Sequence, residues 1–175
     1  MVMITALCVR SDGPYPAMGV DCYTKDRDAF NFKGKNPVIA HPPCRAWGSY
    51  RHKSLHSQRE KDLAIFCLDV VRRNGGVLEH PVKSVLWELL GPDDETLVID
   101  QHWFGHPSQK RTRLLVSKVQ LGQLPLNLSI CRPVENLSRR QRELTPVQLA
   151  SWLVDSIQKS YRTPSRPDEG RGVRL

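Results

Sequence analysis

The stretch from Val38 to Pro81 constrains this chain most. Two short apolar runs, Val38–Ala40 and Val77–Leu78, flank a longer segment of helical period. Short β-branched runs that stop at proline or glycine read as buried strands. Between them, Leu63, Ile65, Phe66, Leu68, Val70 and Val71 form one apolar face, while Glu60, Lys61 and Arg72 keep the other face polar. That pattern predicts a helix over 57–73. Ser57 is its N-cap, with Glu60 at the capping-box position, and Asn74-Gly75-Gly76 is its stop. A strand–helix–strand order implies a right-handed parallel crossover. The ends of the two strands, next to Cys44 and Glu79, should then share one edge of a sheet, the usual place for sites in open α/β folds.

The rest of the chain reads as more of the same layer. Val2–Val9 and Val20–Tyr23 predict strands on either side of the turn Ser11-Asp12-Gly13-Pro14-Tyr15-Pro16. Val82–Leu90 predicts a short helix, and Thr96–Asp100 and Arg113–Val119 two further strands. Leu121–Asn136 is dotted with proline and should be irregular. Thr145-Pro146 opens a last helix with the stripe Leu149, Trp152, Leu153 and Ile157. The expected fold is a single Rossmann-like α/β domain over 1–161, a mainly parallel sheet flanked by helices, followed by a basic, disordered tail at 162–175.

Composition narrows the class. The 175 residues suit one domain with a sizeable core. No apolar run approaches the ~20 residues of a membrane span, and the start lacks the basic region of a signal peptide. The five cysteines are odd in number, widely spaced and free of any C-x-x-C pair. Reduced thiols in a cytoplasm are therefore expected, not a disulfide framework. The net charge of +8 suits an acidic partner, with nucleic acid the commonest one. Much of that charge sits in Arg139-Arg140-Gln141-Arg142 and from Arg162 onward, where a solvated surface is the plainer explanation.

Three segments carry candidate chemistry. In His41-Pro42-Pro43-Cys44-Arg45 the prolines end the strand by withholding two donors. A cysteine there is by default a small buried hydrophobe; the rigid turn and the basic Arg45 favour a reactive thiolate instead. Glu79 ends an apolar strand before His80-Pro81, and a carboxylate is costly to bury without a partner or a task; an N-cap is its other reading. In Gln109-Lys110-Arg111-Thr112-Arg113, alternate residues of an extended chain face one side, so Gln109, Arg111 and Arg113 should project together. Histidines spaced i, i+4 (His52 and His56, His102 and His106) raise a metal site. Gly105 and Pro107 argue against a helix at the second pair, and loop histidines serve more often as hydrogen-bonding residues, so no metal is expected.

Together, Pro-Pro-Cys, Gly-Val-Leu-Glu and Gln-x-Arg-x-Arg follow the order seen in DNA cytosine-C5 methyltransferases, and the chain looks most like small phage-encoded relatives of that family. The resemblance, over roughly Val38 to Val116, implies that Cys44 attacks C6 of a flipped-out cytosine and that Glu79 holds the ring N3 and exocyclic amine. Arg111 and Arg113 would orient base and loop, while Pro43, Arg45, Gln109 and His80 would contact substrate. It implies S-adenosylmethionine as cofactor, DNA or a cytosine nucleotide as partner, and a host-cytoplasmic location. The loop after the first strand, Arg10 to Tyr15, lacks the family's Phe-x-Gly-x-Gly cradle, which leaves Asp12 and Gly13 as cofactor candidates, with Asp21, Asp26 and Asp28 as candidates for the acidic residue at the ribose. Only a short irregular stretch follows the arginine motif, too little for a separate target-recognition domain. A cofactor-less module that binds nucleic acid, a nucleotide or a host protein is the alternative reading, in a phage regulatory or anti-defence role.

Overall fold

A computed structural model describes residues 1–49, 51–53, 55, 57–125 and 130–162. Six strands form one sheet: β1 Thr5–Leu7, β2 Asp21–Tyr23, β3 Val38–Ala40, β4 Gly76–Pro81, β5 Glu95–Asp100 and β6 Arg111–Ser117. Their spatial order is β2-β1-β3-β4-β6-β5. The strands β1 to β4 pair in parallel. β6 runs antiparallel to both β4 and β5, so β5 points the same way as β4. The fold is thus α/β, a mostly parallel sheet flanked by helices.

The helices are α1 Pro14–Ala17, α2 Gln58–Asn74, α3 Arg139–Glu143 and α4 Val147–Arg162. Side-chain alternation divides the core into two layers. Leu7, Val38, Ala40, Leu78 and Leu115 pack with Ala64, Cys67, Leu68 and Val71 of α2. Ala6, Ile39, Val77 and Leu114 pack with Leu149, Leu153 and Ile157 of α4. Each strand places successive residues on opposite faces, which is why neighbouring positions of β1, β3, β4 and β6 fall into different layers.

Several elements differ from expectation for local reasons. β1 is shorter than Val2–Val9 because Cys8 turns to φ 59° and leaves the extended region. Lys118, at φ 56°, likewise ends β6 before Val119. The helix expected over Val82–Leu90 is a 3₁₀ turn, Val85–Leu89, capped by the Ser84 hydroxyl accepting from Leu86 N–H. The turn at Ser11–Pro16 runs into the single helical turn α1. Ser57 caps α2 as expected, accepting from Glu60 N–H at 3.3 Å. The box is only half made, because the Glu60 carboxylate pairs with Arg45. The basic segment Arg139–Arg142 lies in α3, where Ser138 and Gln141 complete a capping box. Residues 121–125 are irregular as expected, while Val134–Asn136 forms a 3₁₀ turn. Arg162 closes α4; the rest of the expected tail, 163–175, and His56 lie outside the described residues. Among the described residues no helix is long and apolar enough to cross a membrane.

Candidate active site

The register Leu7↔Ala40↔Leu78 aligns the carboxyl ends of β1, β3 and β4. The chain segments leaving these ends line a cleft of about 590 Å³ with Cys44, Pro43 and Glu79 in its wall. A larger cleft, about 900 Å³, lies at the opposite edge of the sheet near Asp93, Ser117 and Lys159. It holds no cysteine, so the candidate thiol and carboxylate both belong to the smaller one.

Glu79 lies one residue beyond Leu78, and His41 one residue beyond Ala40, so the two meet across the parallel pair. His41 Nδ1 is 2.9 Å from Glu79 Oε2, and His41 Nε2 is 2.7 Å from the Tyr15 hydroxyl. Gln101 Nε2 donates to the other carboxylate oxygen at 2.9 Å. Burial, with the charge of Glu79 adding, pushes the Tyr15 phenol well above its ordinary range. It keeps its proton, and the Tyr15 hydroxyl, the His41 ring and the Glu79 carboxylate form one hydrogen-bonded chain. Burial opposes the charge of Glu79, but the hydrogen bond and electrostatic attraction of His41, helped by Lys110 and His80, hold its carboxyl at about 2. The carboxylate is therefore ionised at neutral pH.

Cys44 is exposed in the cleft. Its surroundings are nonetheless packed enough that desolvation, followed by the charge of Glu79, raises the thiol above its ordinary value. The thiolate expected from Arg45 is not promoted: Arg45 lines the cleft but spends its charge on Glu60. Cys44 therefore rests as the thiol.

No protein-family model matches the chain, and no curated protein matches it in sequence.

The other sequence candidates divide by sheet face. His80 is 1% exposed and lies opposite Arg113 in the β4–β6 register. Directly opposed residues share a face, so Arg113 and Arg111 lie with His80 on the α2 side, away from Glu79. There the guanidinium of Arg113 stands 5.7 Å from the Trp87 ring centre, and the His80 ring meets the same indole edge-on at 6.0 Å. Burial lowers His80 to about 4, so it is neutral at pH 7. The Pro43 carbonyl favours its charged form, yet neither ring nitrogen reaches a partner with normal hydrogen-bond geometry. Gln109 is exposed and outside the cleft lining. The residue of this segment that reaches the cleft is Lys110, because alternation turns it and Thr112 to the Glu79 face. His102 and His106 hold backbone carbonyls, His102 Nδ1 that of His106 at 2.8 Å and His106 Nε2 that of Gln141 at 3.2 Å. Among the described residues no group of three or more His, Cys, Asp or Glu is placed to hold a metal ion.

The residues available for S-adenosylmethionine do not fit it. Asp12 is tied to Arg10 at 2.7 Å and to Arg140 at 3.0 Å. Asp21 pairs with Arg27 and begins β2, at the far end of the sheet from the cleft. A Cβ on Gly13 would lie 3.2 Å from the Arg10 carbonyl, so this glycine closes its own turn. Arg10, Lys25, Arg139 and Arg142 surround that part of the cleft, a poor setting for a sulfonium cation.

His41, Tyr15, Gln101 and Lys110 are the site residues that sequence reasoning missed. The one available signal was the parallel crossover itself, since pairing Ala40 with Leu78 sets His41 beside Glu79.

Proposed function

We propose that this chain is a Rossmann-like enzyme of the cytosine-C5 methyltransferase type, with Cys44 adding to C6 of a cytosine in DNA or in a cytosine nucleotide. The observation that carries the reading is the meeting of Cys44 and the anchored Glu79 in one cleft at the carboxyl ends of adjacent parallel strands. An ionised Glu79 accepts from the 4-amino group of the ring; Cys44 adds as the thiolate after its proton leaves to solvent, and N3 takes a proton from solvent through the Glu79 carboxyl that His41 holds. Thiol addition makes C5 nucleophilic toward a proton or another electrophile. In duplex DNA the base must leave the stack to reach the thiol. Arg111 and Arg113 lie on the far sheet face, Arg113 against Trp87, and do not orient the base.

The reading is tested without a methyl donor. Addition at C6, protonation at C5 and reversal exchange the C5 hydrogen with solvent. Deoxycytidine, dCMP and a cytosine-containing single strand incubated in D₂O should gain deuterium at C5, detected by proton NMR. The rate should rise with pH through 9, because the thiol titrates above its ordinary value. Cys44→Ser should slow exchange at least ~10³-fold. Absence of exchange in all three substrates would sink this mechanism and leave the cofactor-less binding module, which the engaged Asp12 and Asp21 favour.

A further inference from the structure

The charge around the cleft is out of balance. Six cationic side chains line it (Arg10, Lys25, Arg45, Lys110, Arg139 and Arg142) against the carboxylates of Glu60, Glu79 and Glu143. The carboxylates have partners: Glu60 takes Arg45, Glu79 takes His41, and Glu143 takes Arg139 at 2.8 Å with Arg10 at 3.9 Å. What remains is Lys25 and Arg142, two cations without a carboxylate, while Lys110 is drawn to Glu79. Among the described residues Lys25 and Arg142 have no side-chain partner, whereas Lys110 Nζ has the Leu144 carbonyl at 3.5 Å and the attraction of Glu79. The two come from separate parts of the chain, the loop after β2 and α3. Arg140 bonds Asp12 across the cleft at 3.0 Å, holding α3 against the loop after β1. Like charges converging on a concave surface repel one another and focus a positive potential there. Such a convergence is relieved by an anion.

We infer that Lys25 and Arg142 bind the phosphate of a cytosine nucleotide whose base lies against Cys44 and Glu79, in the place where the family resemblance would seat a methyl donor. The identity of the base rests on the function proposed above; the phosphate rests on the charge and shape of the cleft alone. A volume of about 590 Å³ falls inside the range of about 300–1,000 Å³ typical of small-molecule sites and leaves room beyond a single base. Arginine offers a planar fork to phosphate oxygens and lysine a mobile point charge. Glu79 is an anion, so it repels the phosphate and is left to the base.

Isothermal titration of the full chain with deoxycytidine, dCMP, a short single-stranded oligodeoxycytidine, inorganic pyrophosphate and S-adenosylmethionine tests this. dCMP should bind at least tenfold more tightly than deoxycytidine, and pyrophosphate should compete with it. Lys25→Ala and Arg142→Ala should each weaken dCMP several-fold and leave deoxycytidine unchanged. Lys35→Ala, before β3 at the other end of the sheet, should alter neither. A phosphate taken from a nucleic acid chain shows as an oligonucleotide that binds much more tightly than dCMP and responds to the same two substitutions; a free nucleotide shows as equal or tighter dCMP. Equal affinity for dCMP and deoxycytidine, or dCMP binding untouched by both substitutions, overturns the inference. So does S-adenosylmethionine displacing pyrophosphate. Deuterium exchange into deoxycytidine needs no phosphate, so its success beside failed dCMP titrations would refute the phosphate site and spare the thiol chemistry. Phosphate binding retained in a chain without exchange would do the reverse.

Discussion

At the scale of single residues, two buried ionisable groups set how this protein responds to acid. His80 is held near 4 by burial, below the 6.5 of a free histidine. Between those values the unfolded chain takes a proton that the folded one refuses, so stability falls as pH drops from 6.5 to 4. The loss is roughly 3 kcal/mol. Glu79 acts in a lower window. Its folded value of about 2 lies under the ordinary carboxyl value of 4.5, so its contribution is complete above pH 4.5 and disappears as pH falls to 2. Urea unfolding at pH 7, 5.5 and 4 should show the upper slope, and His80→Phe should flatten it; equal slopes in the two proteins would remove His80 as the cause. Cys44 and Glu79 could be picked from the sequence because an unusual residue at a strand end is a local pattern. His41 and Lys110 could not, since their roles depend on which face and which neighbour they meet.

At the scale of elements, the junction between α2 and β4 is the most demanding point of the backbone. Gly75 sits at φ +87° and Gly76 at φ +120°, and a Cβ on Gly76 would fall 1.9 Å from the Val38 carbonyl oxygen. The chain must leave α2 and enter the sheet beside Val38 within two residues, and only glycine lets the backbones approach so closely. Gly76→Ala should therefore cost about 3 kcal/mol or more, with the clash and the strained φ adding. Chemical denaturation checks it, and a loss under 1 kcal/mol would mean that β3 and β4 can separate at little cost. The same element shows why α2 was easy to find: cap, apolar face and glycine stop all lie within one stretch of sequence. α3 was hidden because five residues carry too little periodicity, although Ser138 and Gln141 did hold its capping box.

At the scale of the whole molecule, the sheet is stabilised from both sides, and α4 covers the face that carries Glu79. Leu149, Leu153 and Ile157 are fully buried against it. Leu153→Ala should destabilise the fold by about 2–5 kcal/mol in one cooperative transition. Thermal melts followed at α4 and at Trp87 would then shift together, whereas separate transitions would show that α4 is an appendage.

The linear pattern of apolar runs, caps and breakers was enough to predict an α/β chain, the β3–α2–β4 crossover and a thiol and a carboxylate at one sheet edge, because each of these rests on residues close together in sequence. Three features came only from tertiary contacts. The antiparallel β6 between β4 and β5 put Arg111 and Arg113 on the face away from Glu79 and turned Lys110 toward the cleft. The parallel register tied Glu79 to His41 and Tyr15. α3 and the loops after β1 and β2 brought Arg142 and Lys25 to the same rim. Strand direction and register are properties of pairing between distant segments, and a shift of one residue reverses every side chain.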